Sequence, residues 1–179
     1  MTNLIPAHGG YRQLKSFQTA TLVYDFTVDF CQRFVKESRM RDQMIQAARS
    51  GRQNIAEGCQ ASATSKKTEL KLVNVARASL EELLLDYEDY LRQRNFPIWT
   101  KNTAQAKAVR ALAYESNRSS MTYKTYLETP ENMANCLICL IHQANYLLDQ
   151  QLRALEQQFL KEGGFTERLY NVRKNQRGY

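Results

Sequence analysis

The chain has 179 residues, of which 43% are hydrophobic and 24% charged, the proportions of an ordinary globular protein, and its formal net charge is +7. It lacks the basic and apolar segments of a secretion signal and any apolar run near the roughly 20 residues of a membrane helix, so we expect a cytoplasmic protein without a membrane span. The four cysteines lie in helical patterns, which favours reduced thiols over a secreted disulfide framework.

The first two predicted elements are amphipathic helices. Apolar residues recur every three or four positions from Leu14 to Cys31, which is the period of a helix, and predict a helix over about 13–37. A second stripe with the same period predicts a helix over about 41–60. Its many small residues would let a neighbouring helix approach closely.

A third helix and an insert follow. Ser and Thr residues just before the third stripe can cap a helix over about 66–94, and Pro97 ends it because proline cannot donate a backbone hydrogen bond. Residues 97–129 are predicted to form an insert, with a short helix over 101–116 and a less regular, mobile end. Five basic and two acidic residues make the segment 101–129 basic.

A fourth helix and a tail complete the chain. Thr129 and Pro130 form a typical helix start, and the stripe that follows predicts a helix over about 130–162. The tail, residues 163–179, is basic and is expected to be disordered. The sequence thus predicts an all-α, antiparallel up-down four-helix bundle in one domain, 1–179, with an extra helical insert between helices 3 and 4 and a basic C-terminal tail.

Two motifs resemble a known family. The run Asn54–Gly58 (NIAEG), preceded by Gln43, and the third-helix segment Val75–Leu83 are similar to the signature of the four-helix-bundle proteins encoded in intervening sequences of 23S ribosomal RNA genes. That family includes the accessory variability proteins of diversity-generating retroelements. The resemblance implies homo-oligomers, typically pentamers, with basic surfaces that bind nucleic acid, and in retroelements a reverse transcriptase partner.

Three sets of cations are candidate nucleic-acid contacts. Arginines of the second helix could form a basic strip, or they could be solvated or pair with Glu81, Glu82 or Asp86 of another subunit. In the insert and the tail, cations alternate with tyrosines, which would supply charge for phosphates and rings for bases. Ordinary packing of the insert and a solubilising role of the tail are the alternatives. The predicted contacts are Arg41, Arg49, Arg52, Arg110, Arg118, Lys124, Arg173, Lys174 and Arg177.

No catalytic, metal or cofactor site is predicted. Asn54 and Glu57 lie one helical turn apart, and we interpret them, with Gly58, as structural because a lone carboxylate lacks a second titratable partner. The two cysteines and the histidine within 136–142 recur every third residue. They would diverge by about 120° around a helix, so we interpret the cysteines as core residues rather than zinc ligands.

These features together predict a non-enzymatic homo-oligomer that binds RNA or DNA. The alternative is an oligomeric protein-interaction scaffold, or an accessory subunit, whose basic surface meets an acidic protein partner. Both hypotheses use the same cations, and the residues alone leave both open.

Overall fold

The computed structural model describes residues 9–177, except for the side chains of Glu162 and Arg177. This range contains helices and no strand, which confirms the all-α prediction. None of its helices is both long and apolar enough to cross a membrane. The helices are α1 (Lys15–Phe34), α2 (Ser38–Ala61), α3 (Lys66–Gln93), α4 (Ala104–Ala111), α5 (Ser120–Tyr123), α6 (Pro130–Glu162) and α7 (Phe165–Arg177), with 3₁₀ turns at Tyr11–Gln13, Leu112–Tyr114 and Lys124–Tyr126.

Local sequence explains where the long helices begin. The Ser65 side chain accepts a hydrogen bond from the backbone N–H of Thr68 at 3.1 Å and caps α3. Thr129 does the same for α6, where Pro130 takes the first helical position. Both caps satisfy a backbone donor that has no partner within the helix. α1 is shorter than predicted at both ends, because Leu14 and Val35 have extended backbone geometry.

Four helices, α1, α2, α3 and α6, surround one hydrophobic core, and each packs against two of the others. Contacts between neighbours run in opposite chain directions: Ser16 of α1 contacts Gln151 of α6, whereas Arg33 contacts Met133. Neighbouring long helices are therefore antiparallel. The other three neighbouring pairs of helices show the same reversal. The contacts are Cys31–Met44 and Tyr24–Arg52 between α1 and α2, Ser50–Ser79 and Gly58–Val73 between α2 and α3, and Arg77–Asp149 and Glu81–Asn145 between α3 and α6.

The insert covers the outer side of α6. α4 buries Ala106 and Val109, and Tyr123 of α5 is fully buried with its ring 5.7 Å from that of Phe26. As a result, all nine residues of 133–141 are buried, as in a helix surrounded on every side. The stretch that was expected to be the irregular end of the insert contains α5 and the 3₁₀ turn Lys124–Tyr126, and its Tyr123 is buried in the core.

The tail differs most from its prediction. Residues 165–177 form α7 instead of a disordered segment. Gly163, at φ 68°, takes left-handed backbone geometry that favours glycine and separates α7 from α6. The backbone N–H of Gly164 donates to the Glu167 carboxylate at 2.6 Å, which fixes the first turn of α7.

Candidate nucleic-acid interface

The predicted strip on α2 has only one freely exposed arginine. Arg49 is exposed and, among the described residues, has no hydrogen bond or ion pair. The Arg52 guanidinium instead lies over the Tyr24 ring, 4.2 Å from its centroid. Arg41 donates to the backbone carbonyl of Val35 at 3.5 Å. Two of the three cations thus brace α2 against α1 and its connection, and Arg49 is the one free to contact a phosphate.

The Asn54–Gly58 motif shapes the contact between α2 and α3. Asn54 Nδ2 donates to the Ser50 carbonyl at 2.9 Å, and the Ser50 hydroxyl lies 2.9 Å from that of Ser79 on α3. Gly58 faces α3, where an added Cβ would lie 3.4 Å from the Glu69 carbonyl oxygen, an ordinary van der Waals distance. Glu57 is exposed. The geometry gives Asn54 and Gly58 structural roles between helices and no catalytic partner.

A basic cluster lies on α4 and the turn that continues it. Lys107, Arg110 and Tyr114 are three and four residues apart, which makes them neighbours on this surface. Arg110 donates to the backbone carbonyl of Lys101, so a fourth residue joins them. The Tyr114 side chain is 93% exposed. We call Lys101, Lys107, Arg110 and Tyr114 the α4 basic cluster.

The sequence-based selection found only part of this cluster. Arg110 is among the predicted contacts, but Lys101 and Lys107 are not. The signal that could have identified Lys107 is its place beside the apolar pair Ala106 and Val109, which turn one side of a short helix towards α6 and leave Lys107 exposed.

The other predicted contacts of the insert differ in exposure. Arg118 is half-buried, and its guanidinium donates to the Thr19 hydroxyl of α1 at 2.9 Å. Burial raises the pKa of the Tyr123 hydroxyl, and the adjacent Arg118 partly opposes that rise. Arg118 therefore holds the insert on α1, whereas Lys124 is exposed and available. Tyr126 packs edge-on against Trp99, which leaves Tyr114 as the exposed ring of the insert.

The predicted contacts of the tail lie on α7. Arg173 and Lys174 are exposed, as is Tyr170. Arg177 is the last residue of the helix, and its side chain lies outside the described part of the structure. Because α7 is helical, its backbone fixes the positions of these residues relative to one another around the helix axis.

The thiols behave as core groups. Burial raises the pKa of Cys31 to about 12 and that of Cys139 to about 11, and it raises the pKa of Cys136 further still. Thiols that are neutral at physiological pH are poor metal ligands and poor nucleophiles. Within residues 9–177, no three His, Cys, Asp or Glu side chains converge as a metal-binding group.

One comparison with known proteins gives a match. Residues 13–97 match the family model described as 23S rRNA-intervening sequence protein. The matched range contains α1, α2 and α3 with both sequence motifs, and the insert beyond Pro97, α6 and α7 lie outside it. No curated protein and no solved structure matches the chain.

Proposed function

We propose that the chain, whose residues 13–97 match the 23S rRNA-intervening sequence protein family, is a non-enzymatic, cytoplasmic, homo-oligomeric helical-bundle protein that binds RNA or DNA. The observation that carries this proposal is the α4 basic cluster. It combines two exposed lysines and the half-buried Arg110 with the almost fully exposed Tyr114 ring, on α4 and the 3₁₀ turn that follows it. Arg49 and Lys124 add exposed cations elsewhere on the same subunit.

The chemistry of the α4 basic cluster fits an unpaired strand. Lys107 and Arg110 would contact phosphates, whose negative charge supplies most of the sequence-independent affinity. The Tyr114 ring would stack on a base, an interaction worth about 1–3 kcal/mol in single-strand complexes. A base in a duplex has no free face for this contact, so the cluster favours single-stranded over double-stranded nucleic acid.

Self-association would strengthen such a small site. The α4 basic cluster contains only three cations, so a single cluster would bind weakly. In a homo-oligomer one strand can contact several clusters, and each later contact is intramolecular, which raises the overall affinity without any new type of contact. The proposal of a homo-oligomer therefore supports the proposal of nucleic-acid binding.

The test is a salt series on nuclease-treated protein. Binding of fluorescent single-stranded RNA, single-stranded DNA and duplex is measured by anisotropy from about 50 to 200 mM salt, where each phosphate contact steepens the decline in affinity. Lys107→Glu/Arg110→Glu should weaken binding and flatten the salt dependence. Lys67→Glu/Lys71→Glu is the matched control, since it makes the same charge change at exposed positions on α3.

Tyr114→Ala separates stacking from charge. It should weaken single-strand binding while leaving the salt dependence nearly unchanged, because it removes a ring and no cation. Absence of binding by the unaltered protein at about 50 mM salt would contradict the proposal. An equal loss of affinity in the cluster variant and its control would show that the α4 basic cluster is not the binding site.

The second candidate is a scaffold or accessory subunit for an acidic protein. The exposed apolar side chains of Val75 and Leu85 on α3 favour it, because such side chains are common at protein contacts. A pulldown that recovers one protein in fixed ratio, unchanged by nuclease, would support this candidate. Recovery that nuclease abolishes would support nucleic-acid binding.

A further inference from the structure

A second exposed tyrosine lies on the outer side of α6. The Tyr146 side chain is 63% exposed, and among residues 9–177 it has no hydrogen bond, no ring partner and no cation over its face. The same is true of Tyr114 in the α4 basic cluster, within the same residues. A single exposed ring is common on protein surfaces. The meaning of Tyr146 therefore depends on where it lies relative to the insert.

Contacts along α6 define the path of the insert. Asn135 accepts a hydrogen bond from the backbone N–H of Trp99 at 2.7 Å and donates to the Pro97 carbonyl at 2.9 Å, so the insert begins beside Asn135. Arg110 then approaches Cys139, because its positive charge partly opposes the rise in the Cys139 pKa that burial causes. The insert therefore advances from Asn135 towards the C-terminal end of α6.

A later contact shows how far along α6 the insert reaches. Arg118 donates to the Thr19 hydroxyl of α1 at 2.9 Å. Ser16, one turn before Thr19, contacts Gln151 of α6, and the two helices are antiparallel. Thr19 is therefore level with Leu148, three residues before Gln151. By Arg118 the insert has reached the level of Leu148.

These contacts place Tyr114 and Tyr146 along one edge. Tyr114 lies halfway between Arg110 and Arg118 in sequence, so its level on α6 is between those of the two contacts. Tyr146 lies within that stretch of α6, seven residues after Cys139. Seven residues return to within about 20° of the same side of a helix, about 10 Å further along. Because Tyr114 and Arg110 share one side of the insert, both rings border the edge where the insert meets α6.

The charges on the two flanks of Tyr146 differ. On the flank towards α3, Asp149 is paired with Arg77, and Glu81 accepts a hydrogen bond from Asn145 at 3.1 Å. Both contacts direct carboxylates away from the insert. On the opposite flank lie the cations of the α4 basic cluster. An anionic strand is therefore favoured on the insert side of Tyr146, where it also meets Tyr114.

We propose that Tyr114 and Tyr146 form a two-ring surface on which two unpaired bases of one strand stack, while Lys107 and Arg110 contact the phosphates of that strand. The inference rests on the proposed nucleic-acid binding and names its ligand class. The ligand is a single strand of several nucleotides, with little preference for base type because every base has a face that can stack. A mononucleotide occupies only one ring, and a duplex offers no pair of free bases.

The full-length Tyr146→Ala variant tests the two-ring surface. Its affinity for single-stranded RNA and single-stranded DNA, measured by anisotropy, should fall about fivefold or more, because one stacked base is lost. The salt dependence should stay the same, since no cation is removed. Tyr170→Ala is the matched control. It removes a ring of nearly equal exposure, 66%, that lies on α7 and outside the insert, and it should leave the affinity unchanged.

Strand length gives a second measurement that a purely structural role of Tyr146 would not change. With oligonucleotides of increasing length, the unaltered protein should gain affinity once a strand can reach both rings. Tyr146→Ala should lack that gain, and a mononucleotide should bind both proteins equally. Circular dichroism checks that each variant keeps its helical content, and sedimentation velocity checks that it keeps its subunit number.

Three results would overturn the two-ring surface while leaving the proposed function in place. The first is unchanged affinity of Tyr146→Ala alongside weakened binding by Tyr114→Ala. The second is an equal loss of affinity in Tyr146→Ala and Tyr170→Ala. The third is lower self-association of Tyr146→Ala with unchanged RNA binding, which would place the ring against a second copy. If the unaltered protein binds no single strand at all, the proposed nucleic-acid binding fails and the two-ring surface fails with it.

Discussion

Two glycines of α2 allow the close packing of α2 on α3 to be measured. Both Gly51 and Gly58 are buried and helical, so replacing either with alanine should gain the same helix propensity, about 1 kcal/mol. The difference between the two variants therefore reports packing alone. A Cβ at Gly51 would lie 2.6 Å from Cδ2 and 2.7 Å from Cγ of Leu80, whereas a Cβ at Gly58 would meet no atom closer than 3.4 Å.

The distances set the expected magnitudes. Leu80 has no exposed surface, so it cannot move away from a new methyl group without disturbing the core. Inserting a methyl group into a packed core typically costs about 1–3 kcal/mol. After the gain in propensity, we expect Gly51→Ala to lower the free energy of unfolding by about 1 kcal/mol. Gly58→Ala should be neutral or should raise it by up to about 1 kcal/mol.

Thermal and urea unfolding, followed by circular dichroism at one protein concentration, measure both effects. For a chain of this size, 1 kcal/mol corresponds to a change in Tm of about 2–4 °C, so the variants, which should differ by about 1–2 kcal/mol, should differ by about 2–8 °C. Equal stability of the two variants, or a more stable Gly51→Ala protein, would refute the claim that Gly51 is required by the approach of Leu80.

Three further predictions follow from buried groups. At pH 8, Cys59 should react slowly with a thiol reagent, and the other cysteines should react only after unfolding, because burial raises their pKa values; fast reaction of all four would contradict this. Burial raises the pKa of Tyr87 well above 10, so the folded state keeps it neutral and stability should fall above about pH 10, where the unfolded chain ionises; stability that is flat to pH 11 would contradict this. Asn135→Ala leaves the backbone N–H of Trp99 and the backbone carbonyl of Pro97 without their partner. It should lower the free energy of unfolding by about 2 kcal/mol or more and shift the fluorescence of the single tryptophan; unchanged stability and fluorescence would contradict this.

The long helices could be predicted because their signals are local. The apolar period and the caps at Ser65 and Thr129 determine α3 and α6 within a few residues of the observed bounds. The surroundings of α6 could not be predicted in this way. Its apolar stripe predicts one buried side, whereas the insert buries the other side through contacts such as that of Tyr123, which depend on long-range packing.

The candidate interface was only partly predictable for the same reason. An arginine pattern shows where charge lies along the chain, but it does not show which guanidinium the fold uses internally. Arg52 on the Tyr24 ring and Arg118 on Thr19 are engaged by residues distant in sequence, whereas Arg49 stays free. The helix α7 was missed because its basic composition was interpreted as a sign of disorder, although Leu169 and Val172 carry a helical period.

Native mass spectrometry of the purified full chain, with and without nuclease, tests the proposed nucleic-acid-binding homo-oligomer most directly. We expect a homo-oligomer that carries additional mass from nucleic acid, with the additional mass lost and the subunit number retained after nuclease treatment. A monomer without bound nucleic acid in both samples would contradict the proposal.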